Sequence, residues 1–149
     1  MNRLKVNDGM SFSSSSESAV SSLCSKRLGD NKSTCLMTSE IGLTALPAKI
    51  EAEIGSADVL INNAGIIQPF IKINELTFEQ AEKVMNVNFY GPFAMIKAFL
   101  PGLLQRPQAH ILNVSSMGAY APVPGQSVYG ASKAAVKLLT EGLRSELMG

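Results

Sequence analysis

The chain has 149 residues, with 13 basic and 12 acidic side chains that give a formal net charge of +1. This length suits one domain with a hydrophobic core, and the scattered, nearly balanced charges argue against a nucleic-acid-binding surface. Because no run of about 18 to 20 uninterrupted apolar residues occurs and the first residues lack a signal-peptide core, we expect a cytoplasmic protein with no membrane partner.

A serine-rich segment lies near the start of the chain. Nine of the fifteen residues from Ser11 to Ser25 are serine, a composition too polar to bury a face. We therefore predict a disordered segment over residues 1–34, as a linker or a tail, and a folded domain over residues 35–149. The alternative is a regulatory segment that is phosphorylated, and its only support is the number of serines.

Two cysteines and one histidine limit the metal and disulfide chemistry. Cys24 and Cys35 lie eleven positions apart, outside any Cys-x-x-Cys pattern. They are most simply free thiols in a reducing compartment, although a disulfide between them stays open. His110 is the only histidine, and one imidazole without clustered acidic or thiol partners does not build a metal site. We therefore predict no metal centre.

Helical and strand patterns alternate after the serine-rich segment. Apolar residues at three- and four-residue steps predict a helix that ends near Gly55 and carries Leu43, Leu46, Ile50 and Ile54. Pro47 either kinks this helix or begins its best-formed part. Residues 59–61 are a short apolar run, typical of a strand buried on both faces.

The same alternation continues to the end of the chain. Thr77-x-x-Gln80 has capping-box form and predicts a long helix through Leu100 that bends at Gly91-Pro92. Residues 110–114 predict the next strand, and the prolines and glycine of residues 122–125 predict a loop before the last helix. This order is typical of a parallel sheet with right-handed crossovers, so we predict an α/β fold with a partial Rossmann-like sheet and flanking helices.

The last helix carries a pair of residues suited to proton transfer. Tyr129 and Lys133 are four residues apart, so they share one helix face, and Ser116 lies thirteen residues upstream of the tyrosine. A free phenol titrates at about 10, and a nearby positive charge favours the phenolate and brings a phenol toward the range useful to a general acid or base. The spacing therefore predicts a site for acid/base chemistry.

Four motifs in this order resemble those of the short-chain dehydrogenase/reductase family. They are Asn62-Asn-Ala-Gly65, Asn88-Phe-Tyr-Gly91, Ser116 at the end of Asn-Val-Ser-Ser, and Tyr129-x-x-x-Lys133. The likeness runs from about residue 38 to the last residue. It implies a Rossmann-like fold and an NAD(P)-dependent oxidoreductase that interconverts a small-molecule alcohol and a carbonyl by hydride transfer.

The resemblance also implies roles for four catalytic residues. Tyr129 would exchange a proton with the substrate oxygen, and Ser116 would hold and polarise that oxygen. Lys133 would favour the ionised tyrosine and hydrogen-bond the nicotinamide ribose. Asn88 would help to hold a water that links the lysine to solvent. Asn86 is the competing choice, but only Asn88 has a glycine at the third position after it.

The resemblance implies NAD or NADP as cofactor. The residues that would bind it are Asn62, Ala64, Gly65, Tyr129 and Lys133, whereas Asn63 suits a structural role equally well. The family's glycine-rich pyrophosphate turn has no counterpart here, since the four glycines before Asn62 are never closer than thirteen residues apart. The choice between NAD and NADP stays open.

Complete members of this family have about 250 residues, so the resemblance implies that this chain is truncated at both ends. The strand at 59–61 would then have an unpaired edge, unless part of the serine-rich segment fills it.

The helices that hold Asn88 and Tyr129 would suit a homodimer or homotetramer. Residues 66–68 and Tyr120 would line one wall of a substrate pocket, with core packing as the alternative for the isoleucines. The alternative function is a catalytically inactive relative that acts as a binding or oligomerisation partner.

Overall fold

The computed structural model describes residues 3–10 and 40–148, with side chains from residue 45 onward. Its strands are β1 (Arg3–Met10), β2 (Val59–Asn62) and β3 (Gln108–Ser115), and its α-helices are α1 (Glu40–Ile54), α2 (Phe78–Met85), α3 (Gly91–Leu103) and α4 (Ser127–Leu147). A π-helical turn (Asn86–Tyr90) joins α2 to α3, and a short 3-10 turn (Met117–Ala119) follows β3.

The three strands form a parallel sheet in the order β1-β3-β2. Val59 of β2 lies opposite His110 of β3, and Asn62 lies opposite Asn113. The predicted α/β fold with a partial parallel sheet and flanking helices is confirmed. Because the carboxyl ends of parallel strands meet at one edge of a sheet, the motif at residues 62–65 and the Ser116 turn emerge side by side.

Strand β1 was not predicted. Arg3–Met10 pairs with β3 along its whole length, with Arg3 opposite Gln108 and Met10 opposite Ser115, so the prediction of a disordered segment is wrong for these residues. Its Asn7-Asp-Gly9 stretch has poor strand propensity, and pairing with a distant strand overrides that local preference. Residues 11–39 lie outside the described residues, and so do both cysteines and the rest of the predicted disordered segment.

Local signals in the sequence account for the ends of several helices. The capping box forms as predicted, since Thr77 Oγ1 accepts from the Gln80 amide at 3.2 Å and the Gln80 side chain accepts from the Thr77 amide at 3.0 Å. Gly55 adopts a φ of 95° directly after α1, as a residue that ends a helix often does. Pro47 lies inside α1. The predicted bend at Gly91-Pro92 takes the form of the π-helical turn just before it.

The helices pack against one face of the sheet. Alternate strand residues point into a core that contains Leu60, Ala109 and Ile111 from the strands, Ile96, Phe99 and Leu103 from α3, and Leu143 from α4, with Leu46 and Ile50 of α1 packed beside them. This single core holds β2, β3 and the helices that present the site. In the part of the chain that the structure describes, no helix is long and apolar enough to cross a membrane.

The opposite face of β2 is exposed. Val59 and Ile61 are 52% and 58% accessible, so the prediction that residues 59–61 are buried on both faces is wrong. Within residues 3–10 and 40–148, β3 is the strand that pairs with β2, which leaves the other edge of β2 without a partner strand. An apolar face beside a free strand edge favours association with another chain.

We expect Ile61→Lys to reduce self-association of the purified chain, because it places a charge on this exposed face. The matched control is Ile67→Lys, since Ile67 is also 58% exposed but lies in the loop after β2. Analytical ultracentrifugation should show a lower average mass for the Ile61 variant and no change for the control. If the two variants have the same average mass, the exposed face of β2 does not mediate self-association.

Candidate active site

Helix α4 holds the predicted acid/base pair. Tyr129 is the third residue of this helix, and Lys133 follows one turn later. Lys133 is 5% exposed, and its Nζ donates to the carbonyl of Val114 in β3 at 3.0 Å. The lysine therefore extends beneath the helix toward the sheet, while the half-buried Tyr129 stays at the helix start.

Ser116 lies beside the ring of Tyr129. It follows β3 in extended conformation, and its Oγ accepts from the Gly118 amide at 3.1 Å. A Cβ atom built on Gly118 would lie 3.4 Å from Tyr129 Cε1 and 3.6 Å from Ser116 Oγ. The structure therefore brings both side chains to the turn at Gly118.

The turn that carries Ser116 approaches α4 very closely at Gly130. A Cβ atom on Gly130 would lie 2.8 Å from the backbone oxygen of Gly118, closer than such contacts occur. Because the obstructing atom belongs to the backbone, a side chain here would have to push the whole turn away from the helix. Gly130 thus sets the distance between Ser116 and Tyr129.

We expect Gly130→Ala to lower the free energy of unfolding by about 1–3 kcal/mol, the usual cost of overpacking. The control is Gly142→Ala in the same helix, where a Cβ atom would meet nothing within 4 Å. There the better helix propensity of alanine should raise the free energy of unfolding by about 0.5–1 kcal/mol. Urea denaturation measures both, and a stabilising effect at both positions would show that the close approach is absent.

Asn88 links three parts of the site. It lies in the π-helical turn, is 1% exposed, and accepts from the Ile66 amide at 2.8 Å through Oδ1. Its Nδ2 donates to the Ile66 carbonyl and to Ser132 Oγ, each at 2.9 Å, and Ser132 in turn donates to the carbonyl of Tyr129 at 2.7 Å. Asn86, the competing candidate, is exposed. The structure therefore brings Asn88, and not Asn86, to the other predicted residues.

Gly65 leaves room for the lysine. A Cβ atom on Gly65 would lie 3.0 Å from Lys133 Nζ and 3.5 Å from Asn88 Oδ1. The end of the Asn62-Asn-Ala-Gly65 motif therefore lies against the same lysine that α4 presents, while Ala64 is exposed beside it. The space that Gly65 leaves beside the amine of Lys133 suits the close approach of a ligand.

Asn62 faces away from this gap, into the layer between sheet and helices. Its Nδ2 donates to Asn113 Oδ1 at 2.7 Å, and Asn113 donates to Thr140 Oγ1 of α4 at 2.9 Å. All three are buried, so this chain of bonds fastens β2 to β3 and β3 to α4. The cofactor contact predicted for Asn62 stays a prediction. Asn113 and Thr140 were missed because their partners are distant in sequence.

The residues predicted to line a substrate wall differ in exposure, and the wall stays a prediction. Ile67 and Tyr120 are 58% and 56% exposed, while Gln68 is 2% exposed and bonds to the backbone of residues 125–129. Among the described residues no group of three or more histidine, cysteine, aspartate or glutamate side chains could hold a metal ion. The side chains that converge are therefore a hydroxyl, a phenol, an amine and a carboxamide.

The chain is similar in sequence to known dehydrogenases and reductases. The family model for short chain dehydrogenase matches residues 13–149. Over 105 residues the chain is 39% identical to Dehydrogenase/reductase SDR family member 7B of Mus musculus, covering 70% of this chain and 32% of that protein. Over 102 residues it is 35% identical to the NADP-dependent 3-hydroxy acid dehydrogenase YdfG of Escherichia coli, covering 68% and 41%.

A solved structure, NAD+-bound xylitol dehydrogenase, has a similar fold. It superposes with a TM-score of 0.71 at 28% identity, over 75% of this chain and 43% of that one. The chain thus spans less than half the length of each of these three proteins.

Proposed function

Since the chain belongs to the short-chain dehydrogenase family, we propose that it is an NAD(P)-dependent oxidoreductase that interconverts an alcohol and a carbonyl of a small molecule. One observation carries the proposal: Ser116 and Tyr129 border the same small space at Gly118, while Lys133 and Asn88 meet beside Gly65. The first pair suits a reacting oxygen atom, and the second suits a cofactor held close to it.

Each of the four residues has a role that its position supports. In the direction of carbonyl reduction, Ser116 Oγ would donate a hydrogen bond to the substrate oxygen. Tyr129 would give its phenolic proton to that oxygen as the carbonyl becomes an alcohol, and in the reverse direction it would take the proton back. Lys133 would stabilise the negative charge left on Tyr129. Asn88 would hold the loop at Ile66 against helix α4 through its hydrogen bonds to both.

The residues at the end of β2 fit the reactive part of a nicotinamide cofactor. A Cβ atom at Gly65 would fill the space beside Lys133 Nζ, so the glycine keeps that space open. We propose that Gly65, Ala64, Lys133 and Tyr129 hold the nicotinamide ribose there, with Asn62 supporting them from within the sheet. When bound, the nicotinamide would supply or accept the hydride, which no side chain of the chain can do.

Titration with NADH and NADPH tests this proposal, with nicotinamide fluorescence as the signal and light scattering to follow aggregation. We expect saturable binding to the folded chain and much weaker binding to Gly65→Val, whose side chain would enter the space beside Lys133. Gly102→Val is the control, because a Cβ atom there meets nothing within 4 Å. Absence of binding at millimolar cofactor would refute the proposed function for this chain.

The alternative function is a catalytically inactive relative that acts as a binding or oligomerisation partner, as a homodimer or homotetramer among other assemblies. Two observations favour it: the exposed face of β2 at Val59 and Ile61, and the wide spacing of the glycines before Asn62. The titration separates the two functions, since an inactive partner has no need to bind a nicotinamide.

A further inference from the structure

We propose that Gln68 is a positioning residue for Tyr129, because it caps the N-terminus of α4 from a loop about sixty residues away in sequence. The inference rests on the proposed function, in which Tyr129 is the acid/base. Gln68 is 2% exposed. It would act through the helix backbone.

The start of α4 has no cap from its own sequence. Gln126 occupies the N-cap position, and its side chain makes no capping hydrogen bond. The first amides of a helix have no partner within the helix, and a buried amide without a partner destabilises the folded state. Gln68 Oε1 supplies the missing acceptor, since the amides of Val128 and Tyr129 donate to it at 2.8 and 2.9 Å.

Gln68 is itself held on two sides. Its Nε2 donates to the carbonyl of Gly125 at 2.8 Å, and its own carbonyl accepts from Gln126 Nε2 at 2.9 Å. Gly125 has a φ of 77°, and a Cβ atom there would lie 3.3 Å from the Ile71 amide nitrogen. The loop after β2 and the residues before α4 are therefore closely joined, so the oxygen of Gln68 has a defined position.

The hydrogen bonds of Gln68 fix the position of Tyr129 in particular. One of the two capped amides belongs to Tyr129 itself, and Gln68 lies three residues after Gly65 in the same loop. Asn88 holds Ile66 between these two positions. The segment that would border the cofactor thus also determines where α4 begins, and so where the phenol lies relative to Ser116.

The test compares two substitutions at Gln68. Gln68→Met keeps the size of the side chain but removes both the acceptor and the donor to Gly125, whereas Gln68→Glu also loses that donor but keeps the acceptor and adds a charge that a helix N-terminus favours. Gln105→Met is the control, because Gln105 is an exposed glutamine after α3. Incorporated 3-fluorotyrosine gives separate fluorine NMR signals for Tyr90, Tyr120 and Tyr129, and amide hydrogen exchange reports on Val128 and Tyr129.

We expect Gln68→Met to speed exchange at the Val128 and Tyr129 amides by about ten- to hundredfold, in line with the loss of two hydrogen bonds. The Tyr129 fluorine signal should shift while those of Tyr90 and Tyr120 stay in place. In an active chain, kcat should fall at least tenfold in Gln68→Met with little change in the cofactor KM, and Gln68→Glu, which keeps the acceptor, should retain more of kcat than Gln68→Met.

Equal movement of all three tyrosine signals, or an unchanged Tyr129 signal, would overturn the proposal and leave Gln68 a general structural residue. If Gln68→Met does not fold, amide exchange in the unaltered chain decides: slow exchange at Val128 and Tyr129 supports the cap, because the first amides of an uncapped helix exchange fast, and fast exchange at both overturns it. The NMR and exchange readouts need no turnover, so an inactive chain would refute the proposed function without deciding the role of Gln68.

Discussion

Replacing Tyr129 by phenylalanine is expected to lower kcat by about 10²- to 10⁴-fold, the range that a positioned general acid or base contributes. The change removes one oxygen atom and keeps the ring, which lies beside Gly118. The free energy of unfolding should therefore stay close to that of the unaltered chain, whereas the affinity for cofactor should fall modestly, because Tyr129 is one of the four residues proposed to hold the nicotinamide ribose. A large loss of turnover without a loss of folding would identify the phenol as the proton donor.

Steady-state kinetics on a carbonyl substrate found by screening, together with urea denaturation, measures both effects of this change. Tyr90→Phe is the matched control, because Tyr90 is 56% exposed and its ring packs edge-on against Phe89 at a centroid distance of 5.2 Å. Its kcat should be unaffected. Comparable turnover by Tyr129→Phe and the control would exclude Tyr129 as the acid/base.

Asn88→Ala is expected to lower the free energy of unfolding by about 2–4 kcal/mol. The carboxamide is buried and makes three hydrogen bonds, two to the backbone of Ile66 and one to Ser132. Its loss leaves these buried groups without their partner, at a cost of about 1–3 kcal/mol for each unsatisfied group, partly relieved by water that enters. Any turnover should also fall, since Ser132 bonds to the carbonyl of Tyr129.

Asn86→Ala provides the control for Asn88, since it alters the same π-helical turn at an exposed position. We expect it to change the free energy of unfolding by less than about 0.5 kcal/mol. Urea denaturation of both variants measures the difference. If the two substitutions cost the same, the bonds of Asn88 do not hold the loop after β2 to α4.

Features with a local cause could be predicted from the sequence. The capping box at Thr77 and the glycine that follows α1 involve residues that are neighbours along the chain, so their patterns are visible there. Strand β3 was predicted over residues 110–114 and observed over Gln108–Ser115, because its apolar residues lie together. The family resemblance supplied the four catalytic candidates, and the structure brings them into one region.

Features that depend on distant partners could not be predicted. Strand β1 forms by pairing with residues about one hundred positions away, and its own composition is poor for a strand. The cap that Gln68 provides has no local pattern, since a glutamine in a loop gives no indication that it will meet a helix sixty residues later. The bond between Asn62 and Asn113 likewise depends on strand register, which sequence periodicity does not give.

Transfer of deuterium from nicotinamide to substrate tests the central claim most directly. The purified chain is incubated with NADH or NADPH deuterated at the transferable position and with a panel of small aldehydes and ketones, and mass spectrometry follows the alcohols formed. We predict an alcohol that carries one deuterium, formed by the unaltered chain and lost in Tyr129→Phe. If the folded chain, with cofactor present at saturation, forms no deuterated alcohol from any carbonyl compound, the proposed oxidoreductase activity is contradicted.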